Sequence, residues 1–486
     1  MKADDIDVNK TIEKARTLLE EEKNTSPAIK AMMEVLFLII TILMNRLGLN
    51  SKNSSKPPAT DPNRNKKPKG KSTNKPGGQL GHEGNNLSPV KNPDEIINVT
   101  IDKRTLPKGT YSPDGYDARQ VIHIRISRHV IEYRAEILKD AEGNQWVAPF
   151  PESVTRPVQY GQDLKAHSVY LSQWQLLPYN RIEDYFRHEV NIPISQGTLF
   201  RFNQEAYELL KKFEQWVKYK LTHSSLLHVD ETGINVNGKL KWLHVTANGQ
   251  WTHFYPHDKR GNEATNEIDI LPHFKGRLCH DHWKPYFIYQ CAHGLCNAHH
   301  LRELERAFEQ DKQLWAKRMK ELLLEMNTVT QEAGGKVSEE TLEEYCKRYR
   351  EILEKGKEEC PLPEPVVLSN GKIKKRIKKS KARNLLERLI NFEKETLLFM
   401  EELDVPFTNN LAENNIRMTK VHRKISGCFR SMEGARYFCR IRSYLSTCRK
   451  NGISATEALQ TLFEGKMLEF MLDADWKQLY DTGDAE

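Results

Sequence analysis

Between Ser225 and Pro256 the chain reads SLLHVDETGINVNGKLKWLHVTANGQWTHFYP, and this stretch limits the possible folds more than any other. Two Asn-Gly pairs, Asn237-Gly238 and Asn248-Gly249, separate three runs rich in Val, Leu, Trp, His and Tyr. Asn-Gly tolerates the positive φ of a type I′ turn, so each pair predicts a tight hairpin and the whole a three-stranded antiparallel meander. The first run, Leu226–Val229, stops at Asp230, which predicts a carboxylate at the end of a strand. Glu231, next along that strand, points to the opposite face.

At 486 residues the chain exceeds what one core supports, and about three or four domains are expected. The net charge of +8 is mild against 74 basic and 66 acidic residues, but it is unevenly spread. Lys52–Lys75 holds eight Lys/Arg, among them Lys66, Lys67, Lys69 and Lys71, and one acid, Asp61; Lys372–Arg383 holds eight more and no acid. Two such blocks make a polyanion the expected partner. All eight cysteines lie between Cys279 and Cys448 without a repeated spacing, which argues for a reducing compartment. The N-terminus MKADDIDVNK lacks the basic-then-apolar order of a signal peptide, so a cytoplasmic location is expected.

In chain order, a short helix over Val8–Glu22 precedes Ser26-Pro27, an N-cap with proline at the first helical position, and Gly48 stops the second helix. That helix is apolar nearly all round. Its core, Ala31–Met44, holds Glu34 and at ~1.5 Å per residue covers about 21 Å of the ~30 Å a bilayer needs. A buried hairpin or a homo-oligomerisation helix is therefore expected, and no membrane. Residues 1–48 form this segment and 49–93 a basic linker whose lysines can neutralise phosphates. Residues 94–155 predict a small β-rich domain from the alternation over Val121–Leu138; without cysteine it is no thiolate zinc module. Residues 156–222 predict helices, Ser195 capping one that runs to Leu221. NIPISQGTLFRF is compatible with a helix-turn-helix, but an ordinary helical pair is the simpler reading.

After the meander come a short helix, a strand ending at Asp281 in GRLCHDHWKPYF, a further strand and a helix in HGLCNAHHLREL, and about 100 mostly helical residues. PFTNNLAENNIRMTK then opens a helix with Glu413 in its first turn. This β-then-α order matches a ribonuclease H-like core with an all-helical insertion: 223–300 and 404–450 as the core, 301–403 as the insertion, 451–486 as closing helices. The chain is thus expected to be a multidomain α+β or α/β protein. On such a core Asp230, Asp281 and Glu413 can converge at one edge of the sheet. Their oxygens suit Mg²⁺ or Mn²⁺, and two such ions could clamp an in-line displacement at phosphorus. Each carboxylate also has a structural alternative. Asp281 could be a turn residue, and Glu413 could close a capping box with Asn410 or pair with Arg417. Cys279, His280, His282, Cys291, His293, Cys296, His299 and His300 crowd the same region. The C-x₄-C and H-x₅-H spacings there interleave instead of lying apart, so zinc is disfavoured.

HVDET, HDHWKPY, CNAHHLREL and NNLAENNIR, with GLNSKNSSKPPATDPN, KPGGQLGHEG, RQVIHIRISRHVIEYRAEI, LPYNRIEDYFRHEVNIPISQGTLFRF and NGISATEALQTLF, resemble the insertion sequence 66 family of transposases, in its large catalytic subunit. The resemblance covers most of the chain. It implies that Asp230, Asp281 and Glu413 are a metal-binding DDE triad that cleaves and joins double-stranded DNA at transposon ends and target. It also implies that Arg417, Lys420, Arg423, Lys424 and Arg430 contact phosphates, with accessory proteins of the same element as further partners. One departure is plain: family members often carry CxxC pairs in the small domain, and this chain has none before Cys279. A nuclease or resolvase on the same fold, or a non-catalytic DNA-binding derivative, are the competing functions.

Overall fold

The computed structural model describes residues 2–3, 6–22, 25–54, 61, 87–363 and 379–480. Lys66, Lys67, Lys69 and Lys71 lie outside the described residues, as does most of the second basic block.

At the N-terminus β1 (Lys2–Ala3) and β2 (Ile6–Asp7) pair antiparallel and lead into α1 (Val8–Glu21) and α2 (Pro27–Leu47). Ser26 caps α2, its Oγ accepting the Ile29 N–H at 3.4 Å, with Pro27 in the first turn. Arg16 on α1 reaches Glu34 on α2 through Nε (3.1 Å) and Nη2 (2.9 Å) and closes the helical pair. The bounds of α2 are as expected, but its apolar centre understates its reach, and of the two roles expected for it burial is not seen. The helix is 21 residues long, about 32 Å, so by length and a mean hydropathy of 2.0 it could cross a membrane. Nor is it buried: Phe37 alone is, whereas Met32, Val35, Leu36, Leu38 and Ile39 are exposed. Hydrogen bonds from Gln310 Nε2 to the Asn45 carbonyl (3.1 Å) and from Asn53 Nδ2 to Glu309 Oε2 (2.6 Å) tie its C-terminal end to the body.

The strands expected through Val121–Leu138 are mostly absent. Only β3 (Ile137–Lys139) and β4 (Gln145–Val147) pair, around a turn with Gly143 at φ 94°. The alternation is real, yet its apolar members, Val121, Ile122, Ile124 and Ile126, stay exposed with no second layer over them. A strand pattern without a surface to cover it does not make a stable sheet.

From here the chain packs. α3 (Gln162–Val169) runs into a π-helical turn over Tyr170–Trp174, and α4 (Tyr179–Glu189), α5 (Gln196–Leu209) and α6 (Lys211–Thr222) follow. Ser195 caps α5, accepting the Thr198 N–H at 3.2 Å. The single long helix expected after Ser195 is two, because buried Leu210 has ψ 8° and breaks the turn. Behind α6, fully buried Trp216 meets Trp251, Phe470 and Trp476 at centroid separations of 5.0–6.1 Å. Such an indole removes about 4–6 kcal/mol worth of apolar surface from water. Helices that precede the sheet and helices that end the chain thus share one core.

The sheet comprises β5 (Leu226–Val236), β6 (Lys239–Ala247), β7 (Thr252–His257), β8 (Arg277–His280) and β9 (Ala292–Leu295), with α7 (Asn262–Ile268) between β7 and β8. Its order is β7-β6-β5-β8-β9: β5, β6 and β7 antiparallel, β8 and β9 parallel to β5. The first turn is as expected, with Asn237 at φ 48° and Gly238 at φ 77°. The second is a longer loop: Asn248 Oδ1 accepts the Gln250 (2.9 Å) and Trp251 (2.7 Å) amides, and neither Asn248 nor Gly249 takes positive φ. There the asparagine serves through its side chain instead of its backbone tolerance. Edge strand β7 is covered by a late helix, whose Ser443 Oγ accepts the Phe254 amide (2.8 Å) and Thr447 Oγ1 the Thr252 amide (3.1 Å). That occupies donors an open edge would expose.

α8 (Asn297–Glu309), α9 (Leu314–Glu332), α10 (Glu339–Glu359), α11 (Lys381–Asn391) and α12 (Glu393–Glu401) form the insertion, with their own core around Trp315, Tyr349 and Leu386. The chain closes with α13 (Asn410–Ser426), α14 (Met432–Lys450), α15 (Ala455–Phe463) and α16 (Ala474–Tyr480).

Candidate functional site

β5 and β8 pair in parallel only from Leu226↔Arg277 to His228↔Cys279. Two residues beyond the last pair on each strand stand Asp230 and Asp281, level with one another where the strands part. Asp230 is therefore not at a strand end, as expected, but inside β5, which continues to Val236 against β6. Only its pairing with β8 ends there. Asp281 does end its strand: its Oδ1 accepts the Trp283 amide at 3.2 Å, and His282 at φ 68° turns the chain away.

Glu413 arrives in the first turn of α13, and both ends of that helix are fastened to β5. Buried Asn409 precedes it; its Nδ2 donates to the Val229 carbonyl (2.8 Å) and its Oδ1 meets His228 Nδ1 (2.8 Å), the two residues just before Asp230. Since the amide nitrogen is used on Val229, the oxygen faces His228, so His228 Nδ1 carries the proton. The Asn409 amide in turn donates to Cys296 Sγ at 3.2 Å. Beyond the helix, Phe429 exchanges backbone bonds with Asn235 (3.0 Å) and Asn237 (2.8 Å) at the far end of β5. The capping-box alternative for Glu413 is not formed: Asn409, not Asn410, precedes the helix and makes no capping bond. Among the described residues Glu413 and Arg417 make no ion pair.

The electrostatics agree with convergence. Burial, followed by the charges of Glu231, Asp281 and Glu413, pushes the Asp230 carboxyl up to about 7. Burial, followed by the Arg302 charge, lowers His299, while Asp281 and Glu413 pull it back up. Its Nδ1 lies 3.8 Å from Glu413 Oε1. Glu231 is separately engaged: buried, it accepts the Tyr286 hydroxyl (2.6 Å) on one oxygen and the Arg260 guanidinium on the other (Nε at 2.8 Å). Its carboxylate is committed to those partners.

The histidines and cysteines of this region divide. His280 and His293 touch each other at 3.1 Å, and Cys291 Sγ lies 3.9 Å from His293. Among the described residues, the set of potential ligand atoms that closes within 4.8 Å is Cys296, His299 and Glu413. The three carboxylates sense one another but do not form a single-ion cage of that size, and a pair of ions needs a wider site. Sequence reasoning weighed Cys296 and His299 only as zinc ligands and did not set them beside Glu413, and it missed Asn409 and His228. The first two stood in the sequence as C-x-x-H at the strand-to-helix junction, whereas Asn409 gave no signal beyond lying near Glu413.

Glu413, Arg417, Lys420 and Lys424 recur at spacings of four, three and four, hence on one face of α13, beside the face that buries Ala412, Ile416 and Thr419. Arg417, Lys420, Arg423, Lys424 and Arg430 are all exposed, and none makes an ion pair among the described residues. The basic face extends about 16 Å from the carboxylate.

These features define a mixed α/β protein, and the family match below puts it in the nucleic-acid-processing class. Residues 157–437 match the family model described as "Transposase IS66 family", and residues 6–88 match a family of unknown function, DUF6444. The chain belongs to the IS66 transposase family. No curated protein matches it.

Proposed function

We propose that the chain is the catalytic transposase of its element: it binds element ends as double-stranded DNA and performs strand cleavage and strand transfer. Asp230, Asp281 and Glu413 are the DDE triad in this reading, on a ribonuclease H-like core. The observation that carries it is the placement of three carboxylates, 51 and 132 positions apart in sequence, at the point where β5 and β8 stop pairing. Numbered within the sheet, the strand order 3-2-1-4-5 supports the same core.

The site fits hard divalent cations, Mg²⁺ or Mn²⁺. Its donors are carboxylate oxygens, and burial, followed by the charges of Glu231, Asp281 and Glu413, holds the Asp230 carboxyl high, a cost that a bound cation would offset. Two such ions, held by Asp230, Asp281 and Glu413, would supply charge neutralisation at the attacking and leaving oxygens of the phosphodiester. The chain's own residues do the rest. Asn409 holds Glu413 in register with Asp230, and Asp281 is oriented by the Trp283 amide. The α13 face of Arg417, Lys420 and Lys424, with Arg423 and Arg430, lies along the phosphates of the bound strand. Lys66, Lys67, Lys69 and Lys71 add sequence-independent attraction. The exposed apolar face of α2 joins copies of the chain, and accessory proteins of the element complete the complex. Eight unpaired cysteines suit the cytoplasm.

The test uses DNA from the ends of the encoding element with Mg²⁺, cleavage positions and joined products being read at nucleotide resolution. Asp281→Ala should abolish cleavage and leave binding intact. A variant that cleaves like wild type removes the triad assignment. Cleavage without joined products would favour a nuclease or resolvase on the same core.

A further inference from the structure

Arg260 follows β7 and, among the described residues, makes no hydrogen bond or ion pair with Asp230, Asp281 or Glu413, yet it is held on three sides. Its guanidinium carbon sits 5.0 Å from the ring centroid of Trp242 and 4.5 Å from that of Trp283, so two indoles hold it. Its Nε and Nη2 are fixed on Glu231 Oε1, and Tyr286 holds the other oxygen of that carboxylate. Trp283 is the residue whose amide is bound to Asp281. A chain of direct contacts thus runs from Arg260 through one indole to a triad carboxylate.

A buried Glu231 needs a positive partner, and Arg260 supplies it. That requirement does not explain the remainder of the arrangement. The Glu231 side chain is 1% exposed but that of Arg260 is 38% exposed, and its Nη1 makes no hydrogen bond among the described residues. The indoles restrict the swing of the plane, and the carboxylate occupies one edge of the fork. What remains is a rigid, solvent-facing donor edge, and guanidinium edges match phosphate oxygens. The carboxylates beside it repel a polyanion, so a cation fixed in advance at this position offsets that repulsion.

We propose that Arg260, held by Glu231 and clamped between Trp242 and Trp283, binds a backbone phosphate of the DNA strand entering the site. The inference rests on the reading of the site as one that acts on DNA. It adds a second phosphate contact, built on the sheet, to the basic face of α13.

The experiment measures binding, so it decides the question whether or not cleavage is observed. Duplexes from the element ends carry a single neutral methylphosphonate, moved one position at a time. Wild type should lose about ten- to hundredfold in affinity at the phosphate Arg260 holds, as for a charge-assisted bond. Arg260→Met should be weakened overall and indifferent to substitution at that position, while remaining sensitive elsewhere. The double variant Glu231→Gln/Arg260→Met removes the buried charge along with its partner and keeps an acceptor for Tyr286, so it guards against misfolding. If Arg260 binds phosphate, the double variant stays as weak as Arg260→Met and lowers the slope of log affinity against log salt by about one. A double variant that binds like wild type, with every position of the methylphosphonate scan unchanged, overturns the proposal and leaves the pair structural. The Asp281→Ala result is independent of either outcome.

Discussion

Replacing Asn409 with alanine should unseat Glu413 without touching any carboxylate. The side chain makes two buried bonds, to the Val229 carbonyl and to His228 Nδ1, each at 2.8 Å. Alanine takes from that carbonyl and that imidazole N–H the side-chain amide that pairs them at a buried position. Orphaning a buried polar group costs about 1–3 kcal/mol, so the two together predict a loss of about 2–6 kcal/mol. Denaturant midpoints followed by tryptophan fluorescence read that loss. Function should fall further than stability explains. Among the described residues the N-terminus of α13 makes no other hydrogen bond to β5, and a displacement of about 1 Å at a reacting centre can cost on the order of 100-fold in rate. Asn409→Asp is the sharper variant: it keeps an oxygen for His228 but sets a second oxygen against the Val229 carbonyl, and should be at least as damaging. If Asn409→Ala unfolds at the wild-type midpoint and cleaves DNA at the wild-type rate, the tether is not what positions Glu413.

Two further outcomes are expected. The Asp230 carboxyl is raised from 3.8 to about 7 in the folded chain, so its contribution to stability is complete below about pH 4 and lost as pH rises through about 7, by up to about 4 kcal/mol. Thermal melts of the metal-free protein should therefore fall between pH 5 and pH 8 more steeply for wild type than for Asp230→Asn; equal slopes would contradict the burial of Asp230 among neighbouring carboxylates. Changing Arg417, Lys420 and Lys424 together to Gln should flatten the slope of log DNA affinity against log salt by about 2–3, whereas an unchanged slope would reduce the α13 face to a solvated surface.

Much of the sheet is local chemistry and was legible in the chain. Asn237-Gly238 sets a type I′ turn because both residues take positive φ without strain, and Ser195 and Ser26 mark helix starts because their hydroxyls satisfy free amides. Asn248-Gly249 misled because the same dipeptide can act through the asparagine side chain. The alternation over Val121–Leu138 misled for a different reason: period-two patterning says which face wants cover, not whether a covering layer exists. The bounds of α2 were legible in its caps at Ser26 and Gly48; what misled was weighing a membrane span on the apolar centre Ala31–Met44 alone instead of on the whole capped helix.

By itself, then, the sequence determined the first hairpin turn, the Ser26 and Ser195 helix caps and the β-before-α order, and it singled out three candidate carboxylates, because each follows from a residue and its near neighbours. Tertiary structure decided where those carboxylates stand. The register that sets Asp230 level with Asp281 is a backbone pairing between strands some fifty residues apart. The placement of Glu413 depends on one buried asparagine bridging a helix to a strand 180 positions earlier. Arg260 likewise looks like any loop cation until Glu231, Trp242 and Trp283 close around it. Those partners come from three separate stretches of the chain, and no local pattern records their meeting.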